Sequence, residues 1–137
     1  LNKRVRFLNE VIDALGLEKI TAIHGRAEDF AKQKEYREGF DLVVSRAVAN
    51  LAVLSEYCIP YVAKDGYFCP YKSGDVKEEL QGAKKAVHIL GGEIKDIISF
   101  EIPDTDMSRT ILMIKKEKAT PKKYPRKAGL PSKEPIH

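Results

Sequence analysis

Phe40-Asp41-Leu42-Val43-Val44-Ser45-Arg46-Ala47 decides the fold. The run from Phe40 to Ser45 is nearly continuous in apolar residues, which predicts a strand buried in a sheet. The chain leaves that sheet at Ser45-Arg46-Ala47. Downstream, Leu51 to Val62 has helical spacing, Lys64-Asp65-Gly66 reads as a turn, and Tyr67 to Tyr71 reads as a strand in which Pro70 is an awkward member. Asp75 is placed to cap a helix from Val76 to Leu90, and Gly91-Gly92 to stop it. Ile94 to Ile102 and Thr110 to Ile114 read as strands joined by a polar loop at Pro103-Asp104-Thr105-Asp106. Upstream, Ala27 to Lys34 predicts a short helix, and the β-branched run Ile20 to Ile23 a strand ending at His24-Gly25. From Lys3 to Leu15, Val5, Leu8, Val11, Ile12 and Leu15 share one helical face, with Asn2 to start the helix and Gly16 to end it.

Strands alternating with helices predict an α/β domain with a largely parallel sheet and right-handed crossovers. The last two strands have no helix between them and should pair antiparallel. Ligands in such folds sit beyond the carboxyl ends of the strands. That selects His24-Gly25-Arg26-Ala27-Glu28, Ser45-Arg46-Ala47 and Tyr71-Lys72-Ser73-Gly74, whose three cations on one edge would form an anion-binding rim.

The length of 137 residues suits one domain. No run approaches 18 apolar residues, no secretory leader pattern is visible, and Cys58 and Cys69 are too few for a disulfide framework. The expectation is a reduced, soluble, cytoplasmic protein without membrane partners. The first residue is Leu1, which suggests a piece of something longer. His24 and His88 lack metal-site spacing, so no metal is expected. Cys58 and Cys69 read as core residues. No nucleophile elbow, phosphate-binding glycine loop or paired carboxylates occur.

The charge is unevenly placed. Residues 1–117 carry a net of −1, whereas 118–137 carry +5 and four of the seven prolines. Residues 118–137 therefore read as a basic, proline-rich, extended tail, either a solvated terminus or an arm lying along phosphates. Arg46 is suited equally to a structural pair with Glu28 or Glu56 and to contacting a substrate. Lys3 and Arg4 open a helix, where cations oppose the helix dipole, which hints at phosphate contact.

Leu1-Asn2-Lys3-Arg4, Gly25-Arg26-Ala27-Glu28, the run Phe40 to Ala49, Tyr71-Lys72-Ser73-Gly74, Arg109 before Thr110-Ile111-Leu112, and the tail Pro121 to Gly129 together resemble one family. It is the bacterial small-subunit (16S) ribosomal RNA guanine-N7 methyltransferase family, also called glucose-inhibited division protein B. The resemblance implies a Rossmann-like class I S-adenosylmethionine-dependent methyltransferase fold with strand order 3-2-1-4-5-7-6 and only the last strand antiparallel. Residues 1–117 would be the carboxyl-terminal part of that domain, lacking its first two strands and supplying strands three to seven. The glycine-rich loop and the ribose-binding acid, which make up the other half of the S-adenosylmethionine site, are absent from this chain. Arg26, Ala27, Glu28 and Arg46 would belong to the cofactor pocket, and Arg46 and Lys72 would serve the reaction. Lys3, Arg4, Arg46, Lys72, Arg109, Lys122, Lys123, Arg126 and Lys127 would bind RNA. Thr110 departs from the histidine common after the arginine. The implied partner is 16S ribosomal RNA or the small ribosomal subunit.

The fragment alone is expected to be inactive. With strands one and two missing, the strands at Ile20–Ile23 and Phe40–Ser45 should pair with each other or with a second copy. Two alternatives are a non-catalytic RNA-binding module and half of a nucleotide-dependent oxidoreductase.

Overall fold

The structure is a computed structural model that describes residues 2–46 and 49–137; Leu1, Ala47 and Val48 lie outside the described residues. Its elements are α1 (Asn2–Ala14), α2 (Ala27–Phe30), β1 (Phe40–Arg46), α3 (Leu51–Cys58), β2 (Val62–Ser73), α4 (Lys77–Ile89), β3 (Gly92–Glu101), β4 (Ser108–Lys116) and α5 (Leu130–Lys133). The sheet order is β1-β2-β4-β3. β1 and β2 are parallel, and β4 runs antiparallel to both β2 and β3. That is the 4-5-7-6 end of the order implied by the resemblance, with a single antiparallel strand.

Two crossovers, β1–α3–β2 and β2–α4–β3, step the same way along the sheet, so both helices land on one face. Leu51 and Leu54 of α3 and Ala83, Ala86 and Val87 of α4 join Phe68, Leu112 and Ile114 from the sheet in the core. Asn50 Oδ1 accepts from Ala52 N at 3.0 Å and starts α3. A 3-10 turn at Ile59–Tyr61, entered through Pro60, replaces the last turn expected of that helix. Asp75 Oδ1 accepts from Lys77 N at 2.9 Å at the start of α4. Pro70 is tolerated in β2 because the ladder to β4 is interrupted there: the pairs run Tyr67↔Lys115 and Phe68↔Ile114, then resume at Tyr71↔Ile111. The turn expected at Lys64-Asp65-Gly66 is absorbed into β2 as an irregularity opposite Phe40–Leu42.

Several expectations are corrected. Ile20–Ile23 forms no strand and does not pair with β1, so the sheet has four strands. A four-residue run with no neighbour to satisfy its backbone gains nothing from extending into a ladder. β1 is an edge strand, and its outward side chains Leu42 and Val44 are 60% and 55% exposed. α2 is one turn long and ends at Phe30. α1 forms as expected but buries none of its residues.

The tail is not an extended arm: it is packed against the body. Tyr124, Pro125, Pro131 and Ile136 are buried. Arg37 donates to the carbonyls of Thr120 (3.1 Å), Pro121 (3.2 Å) and Tyr124 (2.8 Å). Thr120 Oγ1 donates to Leu90 O at 2.7 Å. Arg126 grips the buried Glu56 carboxylate through Nη2 at 2.8 Å and Nε at 3.1 Å, and its own N–H donates to Glu56 Oε2 at 2.8 Å. Gly129 N donates to Glu28 Oε1 at 3.0 Å. Prolines exclude regular structure here, but they do not prevent docking, because side chains of the body satisfy the tail's backbone groups.

Arg126→Ala strips a buried carboxylate of its cation, so we predict a loss of about 2–3 kcal/mol in unfolding free energy. Urea denaturation measures it, and limited proteolysis should show faster cleavage beyond residue 120. Lys127→Ala, at an exposed position, should leave both unchanged.

Candidate functional site

Arg46 ends β1, Lys72 lies near the end of β2, and Arg109 begins β4. Because β4 is antiparallel, its first residues lie beside the last residues of β2 and β3: Arg109 pairs with Ser73 on one side and Phe100 on the other. Two of the three cations anticipated as a rim, Arg46 and Lys72, therefore line one cavity of about 330 Å³ with Arg109, Tyr71, Ser73, Phe100, Ile102, Thr110 and Ile111, whereas the third, Arg26, does not line it. No carboxylate lines it among the described residues.

The cations are not equivalent. Lys72 Nζ lies 2.6 Å from Glu79 Oε1 and donates to Ala49 O at 2.7 Å, with its side chain 10% exposed. Glu79 Oε1 also accepts from Leu51 N at 2.7 Å, so this pair joins β2 to the starts of α3 and α4. Among the described residues, the Arg109 side chain bonds only to its own stretch of chain, Nη1 to Ser108 O at 2.8 Å and Nη2 to Met107 Sδ at 3.9 Å. Arg46 is exposed and has no ion pair among the described residues. Its two anticipated structural partners are occupied elsewhere: Glu56 holds Arg126, and Glu28 accepts from Gly129. Arg46 and Arg109 thus keep guanidinium groups available to an anion. Thr110 is buried, and its hydroxyl donates to Gly74 O at 3.2 Å, fixing the turn after β2 at the cavity wall. Gly74 has φ +72°, a conformation that glycine adopts without strain.

The remaining candidates lie elsewhere. Ala27 lines an apolar groove of about 370 Å³ along β1 with Phe40, Leu42, Val43, Val44, Tyr57, Cys58 and Tyr61. Tyr61 Oη donates to Ala27 O at 2.5 Å. Arg26 is exposed at the start of α2, whereas Glu28 is buried with its carboxylate turned to the tail. Lys3 and Arg4 stand on α1 beside Phe7 and Leu8, away from the three-cation cavity. Lys122, Lys123 and Lys127 are exposed on the docked tail, Lys123 lying 5.3 Å from the Tyr124 ring. Burial pushes the Cys58 thiol up to about 12, which disqualifies it as a nucleophile at neutral pH. The described residues hold no cluster of His, Cys, Asp and Glu able to bind a metal ion and no helix long and apolar enough to cross a membrane. Sequence reasoning singled out the Tyr71-Lys72-Ser73-Gly74 segment but passed over Phe100 as a cavity residue and Glu79 as the partner of Lys72. The period-two placement of Ile98 and Phe100 on the face away from the helices was the available signal for the aromatic side chain.

A family profile described as rRNA small subunit methyltransferase G matches residues 1–109. The chain belongs to that family. A ribosomal RNA small subunit methyltransferase G of Lachnoclostridium phytofermentans is 57% identical over 99% of this chain and 56% of its own length. One from Clostridium tetani is 52% identical over 99% of this chain and 57% of its own length. The chain thus spans little more than half the length of these relatives. Among solved structures, a fibrillarin pre-rRNA processing protein of Methanococcus jannaschii superposes with a TM-score of 0.56 at 23% identity, covering 82% of this chain and 53% of that one. That likeness, with the β1-β2-β4-β3 order, establishes the Rossmann-like class I fold.

The geometry separates Arg46 from Lys72. Lys72→Met should lower unfolding free energy by about 1–3 kcal/mol, because the Ala49 carbonyl and the Glu79 carboxylate both lose a partner. Arg46→Ala should change it by less than ~0.5 kcal/mol. Chemical denaturation of the two variants checks both values.

Proposed function

We propose that this chain is the carboxyl-terminal part of an enzyme that methylates guanine N7 in 16S ribosomal RNA, with S-adenosylmethionine as methyl donor. The observation that carries the reading is the convergence of Arg46 and Arg109, from strands distant in sequence, on one cavity beyond the ends of β1 and β2. Family membership gives the coarser statement; the target atom and the cofactor are what the resemblance implies, and the residues of the site are compatible with both.

The residue inventory suits this chemistry. Guanine N7 carries a lone pair at neutral pH, and methylating it releases no proton from that atom, so no general base is needed. The enzyme's task is to hold the base in line with the donor, which is catalysis by positioning. When bound, S-adenosylmethionine supplies an electrophilic methyl group. The product ring is cationic, so a guanidinium against N7 would oppose the reaction. Arg46 and Arg109 therefore serve on phosphates or on guanine O6, where a cation helps. Lys72, committed to Glu79, positions the β2 exit and keeps the ends of α3 and α4 together at the cavity wall.

Ala27 fits the cofactor's adenine side, since a small side chain in an apolar groove leaves room for a flat ring. Arg26 stands at the start of the same helix. Glu28 fits less well as a polar ligand, because its carboxylate is buried and already accepts from Gly129 N; its contribution is to anchor α2 to the tail. The exposed Lys122, Lys123 and Lys127, with Lys3 and Arg4, would add RNA affinity without sequence preference. This chain alone carries one side of the cofactor site, which supports an inactive fragment that still binds RNA.

The test uses a full-length family member carrying these residues, unmethylated small-subunit ribosomal RNA and S-adenosylmethionine, with digestion to nucleosides and mass spectrometry. The expected product is 7-methylguanosine, and Arg46→Ala should slow its formation at least ~10-fold, about 1.4 kcal/mol in barrier. Methylation at another atom, or an unimpaired Arg46→Ala enzyme, would contradict the assignment.

A further inference from the structure

We propose that residues 124–129 strap α2 in place, and that Arg126 is thereby a positioning residue for the S-adenosylmethionine site. The proposal rests on the reading above that Ala27 serves the cofactor, and adds what holds Ala27 there. α2 has four residues, and a single helical turn is not stable by itself. No side chain caps its start at Arg26. Its position is set by bonds from outside, and two of these lead to the tail. The buried Glu28 accepts from Gly129 N at 3.0 Å. Arg37 Nη1 donates both to the carbonyl of Ala31, which caps the end of α2, at 3.4 Å and to Tyr124 O at 2.8 Å. The tail thus reaches both the middle and the end of the helix.

The tail is itself clamped, and the clamp is Arg126. Its guanidinium donates to both oxygens of Glu56, and its Nη2 donates to Glu134 O at 2.7 Å. Glu56 is buried on α3, so the core fixes the point of attachment. Arg126 also stands between the tail's two contacts to α2, at Tyr124 and at Gly129. Release of Arg126 loosens the chain between those contacts, and the Gly129–Glu28 bond with it. α2 then samples positions in which Ala27 is displaced. Affinity for a ligand falls with the fraction of molecules whose site is ordered, whereas a saturating ligand restores the order. Ala27 lines the apolar groove along β1 and Arg126 does not, so the signature of the strap is a cofactor effect at a residue outside the cofactor's groove.

Two measurements test the strap. In the 137-residue chain, NMR order parameters of the Ala27–Phe30 amides should fall from about 0.85 to below about 0.6 in Arg126→Ala, with those of β2 and β4 unchanged. A loss of global stability alone leaves the order parameters of the folded state as they were. In a full-length family member carrying these residues, Arg126→Ala should weaken S-adenosylmethionine binding in calorimetry, and raise its KM, about tenfold, while kcat at saturating cofactor and the KM for ribosomal RNA change less than about twofold. Arg126→Lys keeps the charge but not the fork; it should lose about threefold in cofactor affinity, and it carries the test where the alanine variant does not fold. An α2 that stays rigid in the variants, or a cofactor affinity equal to the parent's, would overturn the strap and leave the methyltransferase reading standing. A rise in the KM for RNA in place of that for the cofactor would put Arg126 on the RNA and overturn the strap as well. A parent enzyme that binds no S-adenosylmethionine would overturn both.

Discussion

β4 runs antiparallel between two strands that are parallel to each other, and the rest of the structure depends on that insertion. Its inward side chains Leu112 and Ile114 complete the core under α3 and α4. Its direction brings Arg109 to the end of the sheet where β1, β2 and β3 finish. Had β4 been a fourth parallel strand, Arg109 would lie at the opposite edge, and Arg46 would face the cavity without a second free cation. The far end of β4 is fixed by Lys116, whose side chain is fully buried. Its ammonium donates to Ile59 O and Val62 O, both at 2.9 Å, and lies 3.2 Å from Glu38 Oε2. Burial pushes this lysine below its ordinary range, and Glu38 pulls it back up. Four segments meet there: the loop before β1, the turn before β2, β4, and Thr120 of the tail, whose N–H donates to the same Glu38 carboxylate oxygen at 3.2 Å.

Much of this was legible in the sequence, and the failures share a cause. The strand Phe40–Ser45, the helices at Leu51 and Val76, and the antiparallel final pair follow from local periodicity and from the absence of a helix between Ile102 and Thr110. Their hydrophobic patterns are satisfied within the chain. Ile20–Ile23 carries a strand pattern, yet a strand is a property of a pair, and nothing in the described chain pairs with it. The stripe on α1 likewise forms a helix without burying it. β1 reads as buried on both faces, but only one face is covered. In each case the sequence encodes a surface for a neighbour that the described residues do not provide.

The tail failed for a different reason. Net charge and proline content describe what a segment does when nothing else interacts with it. Here Arg37, Glu28, Glu38 and Glu56 supply bonds to residues 120–129. None of these partners is close in sequence, so no local pattern reveals them. Docking also divides the tail's charge: Arg126 is spent inside the molecule, and Lys122, Lys123 and Lys127 stay at the surface. The same division holds at the sheet edge, where Lys72 is paired with Glu79 and Arg46 and Arg109 have no ion pair among the described residues. Position in the sequence identified Arg46 and Lys72 as edge cations and the resemblance added Arg109, but no local pattern shows which of them is already paired.

The central claim is that RNA meets this chain at the carboxyl edge of the sheet. Amide and arginine side-chain NMR shifts of the labelled 137-residue chain, recorded during titration with single-stranded RNA, test it directly. The account predicts that the largest changes cluster at Ser45–Arg46, Tyr71–Gly74 and Phe100–Thr110. Changes confined to Lys118–Lys133, with that edge silent, would contradict it.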